Sequence, residues 1–230
     1  MNVENQAISG ESTAIIRRAG PKGLSRLFAY VAGKEILIVG SSSAGKTKFA
    51  EYLRLGVLDQ EGKRQMTYYV SKSPAFVVQV GSQRNLALRI RRAVDTPGQT
   101  GPVQHASLVG LRKPHIVIVM LDCSKPLSSI LRWLRLFCDR LDTVLRKGSY
   151  VKTKLDSIVV VLNKRDKINR TGLSRLRQEV KAVLSRHLSV VLGVERAHSI
   201  PILECISVQT QRGSALIDKV IGQLAKRLRR

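Results

Sequence analysis

The sequence is short of acidic and aromatic residues. Against 40 Lys and Arg stand only 16 Asp and Glu, a formal charge of +24 on 230 residues. One Trp, five Tyr and four Phe are too few for the stacking platform on which single-strand nucleic-acid binders lay their bases. Three cysteines, Cys123, Cys138 and Cys205, have no paired spacing, which argues against a disulfide scaffold and a cysteine zinc site. His105, His115, His187 and His198 are scattered without ligand spacing, so no metal site is expected on them. The longest apolar run, residues 116–121, falls far short of the ~18 residues of a membrane-spanning helix. The first eleven residues carry acids and no apolar stretch, unlike a secretory signal. No Gly at position 2 and no Cys near the C-terminus argue against simple lipid anchors. A soluble cytoplasmic protein without a transmembrane segment is expected, with a peripheral membrane site as the alternative.

What is present suits a globular domain. The hydrophobic fraction is 43% and the charged fraction 24%, both ordinary for a chain that buries a core. The positive excess points to an anionic partner: a membrane surface, RNA or an acidic protein. Residues 1–34 read as a basic, partly mobile leader, broken by Gly10, Gly20, Pro21 and Gly23, with a short helix over 24–32. Residues 35–230 read as one domain.

Within that domain, apolar runs rich in β-branched residues alternate with helical patterns. Runs at 35–40, 115–122, 157–163 and 200–207 read as buried parallel strands, because they lack polar alternation. Residues 76–80 and 86–94 flank a Gly81-to-Asn85 turn and read as a hairpin. Helical periodicity runs over 46–55, 126–147, 174–188 and 214–228. This order gives an α/β fold, a mostly parallel sheet with one antiparallel edge strand.

Three motifs sit at strand ends. Gly40-Ser41-Ser42-Ser43-Ala44-Gly45-Lys46-Thr47 matches G-x-x-x-x-G-K-[ST] between a strand and a helix. Its amides can cradle an anion at the helix N-terminus. Lys46 would reach the β- and γ-phosphates, the Thr47 hydroxyl would bind Mg²⁺, and Lys48 follows on the helix. Asp95-Thr-Pro-Gly98-Gln99 offers a carboxylate for Mg²⁺, an amide at Gly98 for a γ-phosphate, and Gln99 to orient a water. Asn163-Lys164-Arg165-Asp166 offers an acceptor, Asp166, for the two neighbouring donors of guanine, which adenine lacks. Asn163 can bond the base edge or tie this loop to the phosphate loop, and Lys164 methylenes can cover the ring face.

In these motifs and their order the chain resembles the small GTPases of the Ras and Arf type, within the translation-factor-like class of P-loop proteins. The resemblance covers about residues 35–230 and implies a three-layer P-loop sandwich. It implies GTP and GDP as ligands, Mg²⁺ as cofactor and Gln99 with Lys46 as the catalytic pair. It implies a GTP-on, GDP-off switch with effector and regulator proteins as partners. Such switches hydrolyse GTP slowly, at roughly 10⁻⁴–10⁻² s⁻¹ unaided. The family's first-switch Thr maps to Thr67, with Ser71 and Ser73 as competitors. The family's loop at guanine O6 maps to Ser207 and Val208, where only Ser207 matches the pattern. Ser42 and Ser43 depart from the glycines frequent in Ras-type members, and side chains there narrow the approach to the γ-phosphate.

Two other functions compete with the switch. One is a guanine-nucleotide-binding docking subunit without turnover, and the other an RNA- or ribosome-associated assembly GTPase. The basic residues concentrate at 89–92, along 132–147 and at 226–230, mostly outside the motifs. Trp133 and Cys138, at helical spacing, read as packing residues.

Overall fold

The computed structural model describes residues 16–19, 33–55, 69–80, 87–148, 154–206 and 211–228. The strands are β1 (Ile16–Ala19), β2 (Lys34–Gly40), β3 (Ser71–Lys72), β4 (Phe76–Val80), β5 (Ala87–Asp95), β6 (Ile116–Asp122), β7 (Ser157–Asn163) and β8 (Ile202–Glu204). The helices are α1 (Lys46–Leu55), α2 (Pro102–Arg112), α3 (Leu127–Lys147), α4 (Arg170–Leu192), α5 (Val194–His198) and α6 (Gln211–Leu228). They build one sheet in the order β1-β4-β5-β2-β6-β7-β8, with β3 paired to β5 off this path.

From β5 through β8 every pairing is parallel, and β4 runs antiparallel to β5. The central strands need no polar alternation because both faces are covered. On β2, Leu37 and Val39 join the core beneath α2, α3 and α4, while Ile36 and Ile38 join the core beneath α1 and α6. The same division runs along β6 and β7. Removing each such side chain from water is worth about 1.5–3 kcal/mol, which makes this doubly covered sheet the main source of stability.

β3 and β4 are two pieces of one antiparallel strand. Ser71 lies opposite Asp95, Lys72 opposite Val94 and Phe76 opposite Ile90, a single unbroken register along β5. The ladder stops between them at Pro74, which has no N–H to donate. Ser73 marks the last paired position: its amide donates to the Ala93 carbonyl and its Oγ accepts from the Ala93 amide.

Three expectations change in detail. The antiparallel strand is not the outermost one, because Ile16–Ala19, read as leader, pairs antiparallel outside β4. The strand expected over 200–207 spans Ile202–Glu204 among the described residues. The helix expected to begin at Ser174 begins at Arg170, where the Asn169 side chain caps it by accepting from the Gly172 amide at 2.7 Å. α2 was not anticipated. The expected leader helix and the hairpin turn lie outside the described residues, as do Thr67, Ser207 and Val208.

Candidate functional site

The three motifs meet at the carboxyl ends of β2, β5 and β7, where open α/β sheets place their ligands. After β2 the chain turns through Gly40, Ser41, Ser42, Ser43, Ala44 and Gly45 into the first turn of α1, which carries Lys46 and Thr47. Ser43 holds a left-handed backbone (φ 62°), a conformation that costs a non-glycine residue about 1–2 kcal/mol. Gly45, with φ 89°, could not carry a side chain: a Cβ there would stand 2.4 Å from Asn163 Nδ2. Lys46 is buried and donates to the Ser41 carbonyl at 2.9 Å, so its ammonium sits across the mouth of its own loop. Burial lowers its pKa, and the Asp95 charge opposes that shift. Lys48, one residue past Thr47, pairs with Glu51 on the surface of α1 instead of facing the loop.

Asp95 ends β5 beside α1. Thr47 Oγ1 donates to Asp95 Oδ2 at 2.6 Å, and Asp95 is buried. Two hard oxygen donors, one of them charged, match the ligands a small divalent cation takes. The next residue, Thr96, is fully buried and donates to the Ile38 carbonyl, pinning the turn to β2. The turn then carries Gly98 over the Gly40–Thr47 loop. A Cβ on Gly98 would lie 2.6 Å from Ser42 Cα and 3.1 Å from Lys46 Nζ, so only glycine lets the turn approach this closely. Gln99 is exposed at its tip.

The third motif follows β7. Asn163 is buried and its Nδ2 donates to the Ala44 carbonyl at 2.9 Å, tying the two loops together. Its Oδ1 is buried with no hydrogen-bond partner among the described residues. Lys164 takes a left-handed backbone (φ 59°) and its ammonium donates to Asp122 Oδ2 at 2.8 Å. Asp122 also accepts from the Ser124 amide and hydroxyl. Burial alone would raise its pKa, but the hydrogen bonds from Lys164 and Ser124 outweigh it and hold the carboxyl below its usual range. Arg165 donates its amide to the Cys205 carbonyl and its guanidinium to Glu204, which Arg177 of α4 also binds. Asp166 points to the surface next to Lys167.

The structure therefore brings Gly40 to Thr47, Asp95, Gly98, Gln99, Asn163, Lys164 and Asp166 to one end of the sheet. Of the competitors for the first-switch role, Ser71 is exposed on β3 opposite Asp95, and the Ser73 hydroxyl is engaged with the Ala93 amide. Three residues of this neighbourhood escaped the sequence reading: Thr96, Asp122 and His105. His105 is fully buried on the first turn of α2 behind the Asp95–Gln99 turn. Burial pushes the three cysteine thiols up, Cys123 and Cys205 to about 12, which disfavours the thiolate form.

No known family model matches the chain, and no curated protein sequence is similar to it. Solved structures are. The translation elongation factor SelB from Methanococcus maripaludis, in complex with the GTP analogue GppNHp, is 17% identical with a TM-score of 0.51, over 86% of this chain and 34% of that one. A bacterial selenocysteine-specific elongation factor, EF-Sec, is 16% identical with a TM-score of 0.55, over 86% of this chain and 29% of that one. The chain thus spans about a third of the length of these proteins. The likeness shows the fold alone, the mostly parallel α/β sheet shared with these factors, and does not single out the Ras and Arf branch. Among the described residues no helix is long and apolar enough to cross a membrane.

Proposed function

We propose that the chain binds GTP and GDP with Mg²⁺ and hydrolyses GTP as a slow molecular switch of the Ras and Arf type. The observation that carries this reading is the bond from Asn163 to Ala44, which locks a guanine-type base loop to a phosphate loop across 119 residues of sequence. With Gly98 packed on Ser42, one ligand can span base, phosphates and turn.

The roles follow from position. The loop amides and Lys46 hold the β- and γ-phosphates and stabilise charge as it develops on them. Thr47 and Asp95 would hold Mg²⁺, which would supply charge neutralisation to the phosphates. The Gly98 amide meets the γ-phosphate, and Gln99 orients the attacking water. Asp166 accepts from the paired donors of guanine, while the Asp122 clamp keeps the Lys164 stem over the base. Ser207 and Val208 would contact guanine O6, and Thr67 would close the Mg²⁺ site in the GTP state. Effector and regulator proteins then read the two states, the basic surface meets an anionic partner, and residues 35–230 form the nucleotide-binding unit.

The test pairs equilibrium binding with single-turnover hydrolysis. Wild-type protein should prefer GTP over ATP and release phosphate. Asp166→Asn should lose about thirtyfold or more in GTP affinity, because at least one buried donor then lacks its acceptor at a cost of about 2 kcal/mol. Gln99→Leu should still bind GTP but release phosphate at least about tenfold more slowly. Equal affinity for ATP and GTP would sink the guanine assignment, and tight GTP binding without phosphate release over hours would leave a docking subunit in place of a switch.

A further inference from the structure

His105 takes no part in the three motifs, yet it contacts the turn that follows β5. The Asp95–Gln99 turn contains Pro97, whose carbonyl accepts twice: from the Thr100 amide at 3.2 Å and from His105 Nε2 at 3.2 Å. A carbonyl can only accept, so Nε2 carries the proton and Nδ1 is a lone pair. That Nδ1 is buried with no hydrogen-bond partner among the described residues. The ring packs at 5.8 Å from the Trp133 ring of α3, and Trp133 stacks on Phe137 at 5.4 Å. Phe137 lies in the core.

The Pro97 carbonyl belongs to the peptide whose amide is that of Gly98. Fixing that carbonyl fixes the plane of the peptide, and with it the direction in which the Gly98 N–H points. The Gly98 backbone already lies against Ser42 and Lys46, so a small rotation of this peptide moves its N–H off the phosphate position. A positioning error of about 1 Å can cost about a hundredfold in rate.

We propose that His105 is a positioning residue for GTP hydrolysis: through the Pro97 carbonyl and the Trp133 ring it holds the turn so that the Gly98 amide and Gln99 face the γ-phosphate. This rests on the GTPase reading given above. The donor is supplied from a rigid helix, and its ring is wedged against an aromatic pair rooted in the core. The turn therefore carries its own anchor, separate from the residues that touch nucleotide.

Two variants separate the hydrogen bond from the packing. His105→Phe keeps a ring against Trp133 and removes the donor. His105→Gln restores an N–H near the Nε2 position. Expected for His105→Phe is single-turnover GTP hydrolysis slowed about tenfold or more, with GDP affinity within about twofold of wild type. Affinity for a non-hydrolysable GTP analogue should fall several-fold, and His105→Gln should recover most of the rate. Trp133 is the chain's single tryptophan, so tryptophan emission reports the surroundings of this one ring. Exchange of GDP for the analogue should change the emission in wild type and change it less in His105→Phe. Wild-type hydrolysis with an equal rate in His105→Phe would overturn the assignment, as would equal losses of GDP and GTP-analogue affinity, the mark of a merely structural role. Wild-type protein that binds neither nucleotide would remove the GTPase reading itself, and the role of His105 with it.

Discussion

At the scale of single residues, His105 is kept neutral by two effects of the same sign. Burial disfavours the imidazolium, and the nearby Lys46 charge repels it. Together they outweigh the Pro97 carbonyl and lower the pKa from 6.5 to about 4. In the unfolded chain the ring regains its ordinary value and takes up a proton more readily. The stability that the neutral ring contributes is therefore whole above pH 6.5 and is lost as pH falls toward 4. Urea denaturation should show a larger drop between pH 7.5 and pH 5 in wild type than in His105→Gln. His115 is shifted the same way, by burial and by Lys154 and Lys34, but it titrates in both proteins and cancels in the difference. Asp122, held below its ordinary 3.8, acts only at lower pH. An equal drop in both proteins would remove His105 from the account.

At the scale of elements, α2 shows what the sequence conceals. Strong apolar periodicity made α3 readable, α1 was readable from its place directly after the first strand and its loop, and unbroken apolar runs made β2, β6 and β7 readable to within a residue or two. α2 is PVQHASLVGLR, with a glycine inside it and a weak apolar stripe. The Pro at its first position was the available signal. Gly110 is there for packing: a Cβ would meet Val144 Cγ1 of α3 at 2.8 Å, so the helices can lie this close only without one. Gly110→Ala gains about 1 kcal/mol of helix propensity but overpacks a stiff β-branched neighbour at about 1–3 kcal/mol. It should destabilise the wild-type protein by about 1 kcal/mol, and should instead stabilise a Val144→Ala background. The same sign in both backgrounds would show that Val144 is not the obstacle. Short motifs drew attention to the Gly40–Thr47 loop and to Asp95, Gly98, Gln99 and Asn163, because spacing along the chain encodes them. Thr96, His105 and Asp122 reach the site only through packing between elements distant in sequence, and no local pattern announces such residues.

At the scale of the whole molecule, the motifs absorb few of the basic residues. α3 and α4 alone carry ten Lys and Arg against three Asp and Glu. Two of those acids are already engaged, Asp142 with Arg146 and Asp139 with His187. Arg132, Arg135, Arg175 and Arg186 are exposed on these helices. If a polyanion docks there, its affinity must fall steeply with salt as counterions return. On a heparin column the protein should elute late in the salt gradient. The combined Arg132→Glu, Arg135→Glu, Arg175→Glu and Arg186→Glu variant should elute clearly earlier, beyond the shift from reversing four charges elsewhere on the surface. Equal shifts would assign the retention to net charge and not to this face. The split antiparallel strand has a consequence of a different kind. Ser71 and Lys72 are exposed, whereas Phe76 and Val78 are core residues. Between them Pro74 leaves a rung missing from the ladder. Fraying that starts beside Asp95 therefore has no next hydrogen bond to break and halts before the core. The split strand works like a perforated sheet of paper: the strip nearest Asp95 can tear away and reseat while the rest of the page stays bound.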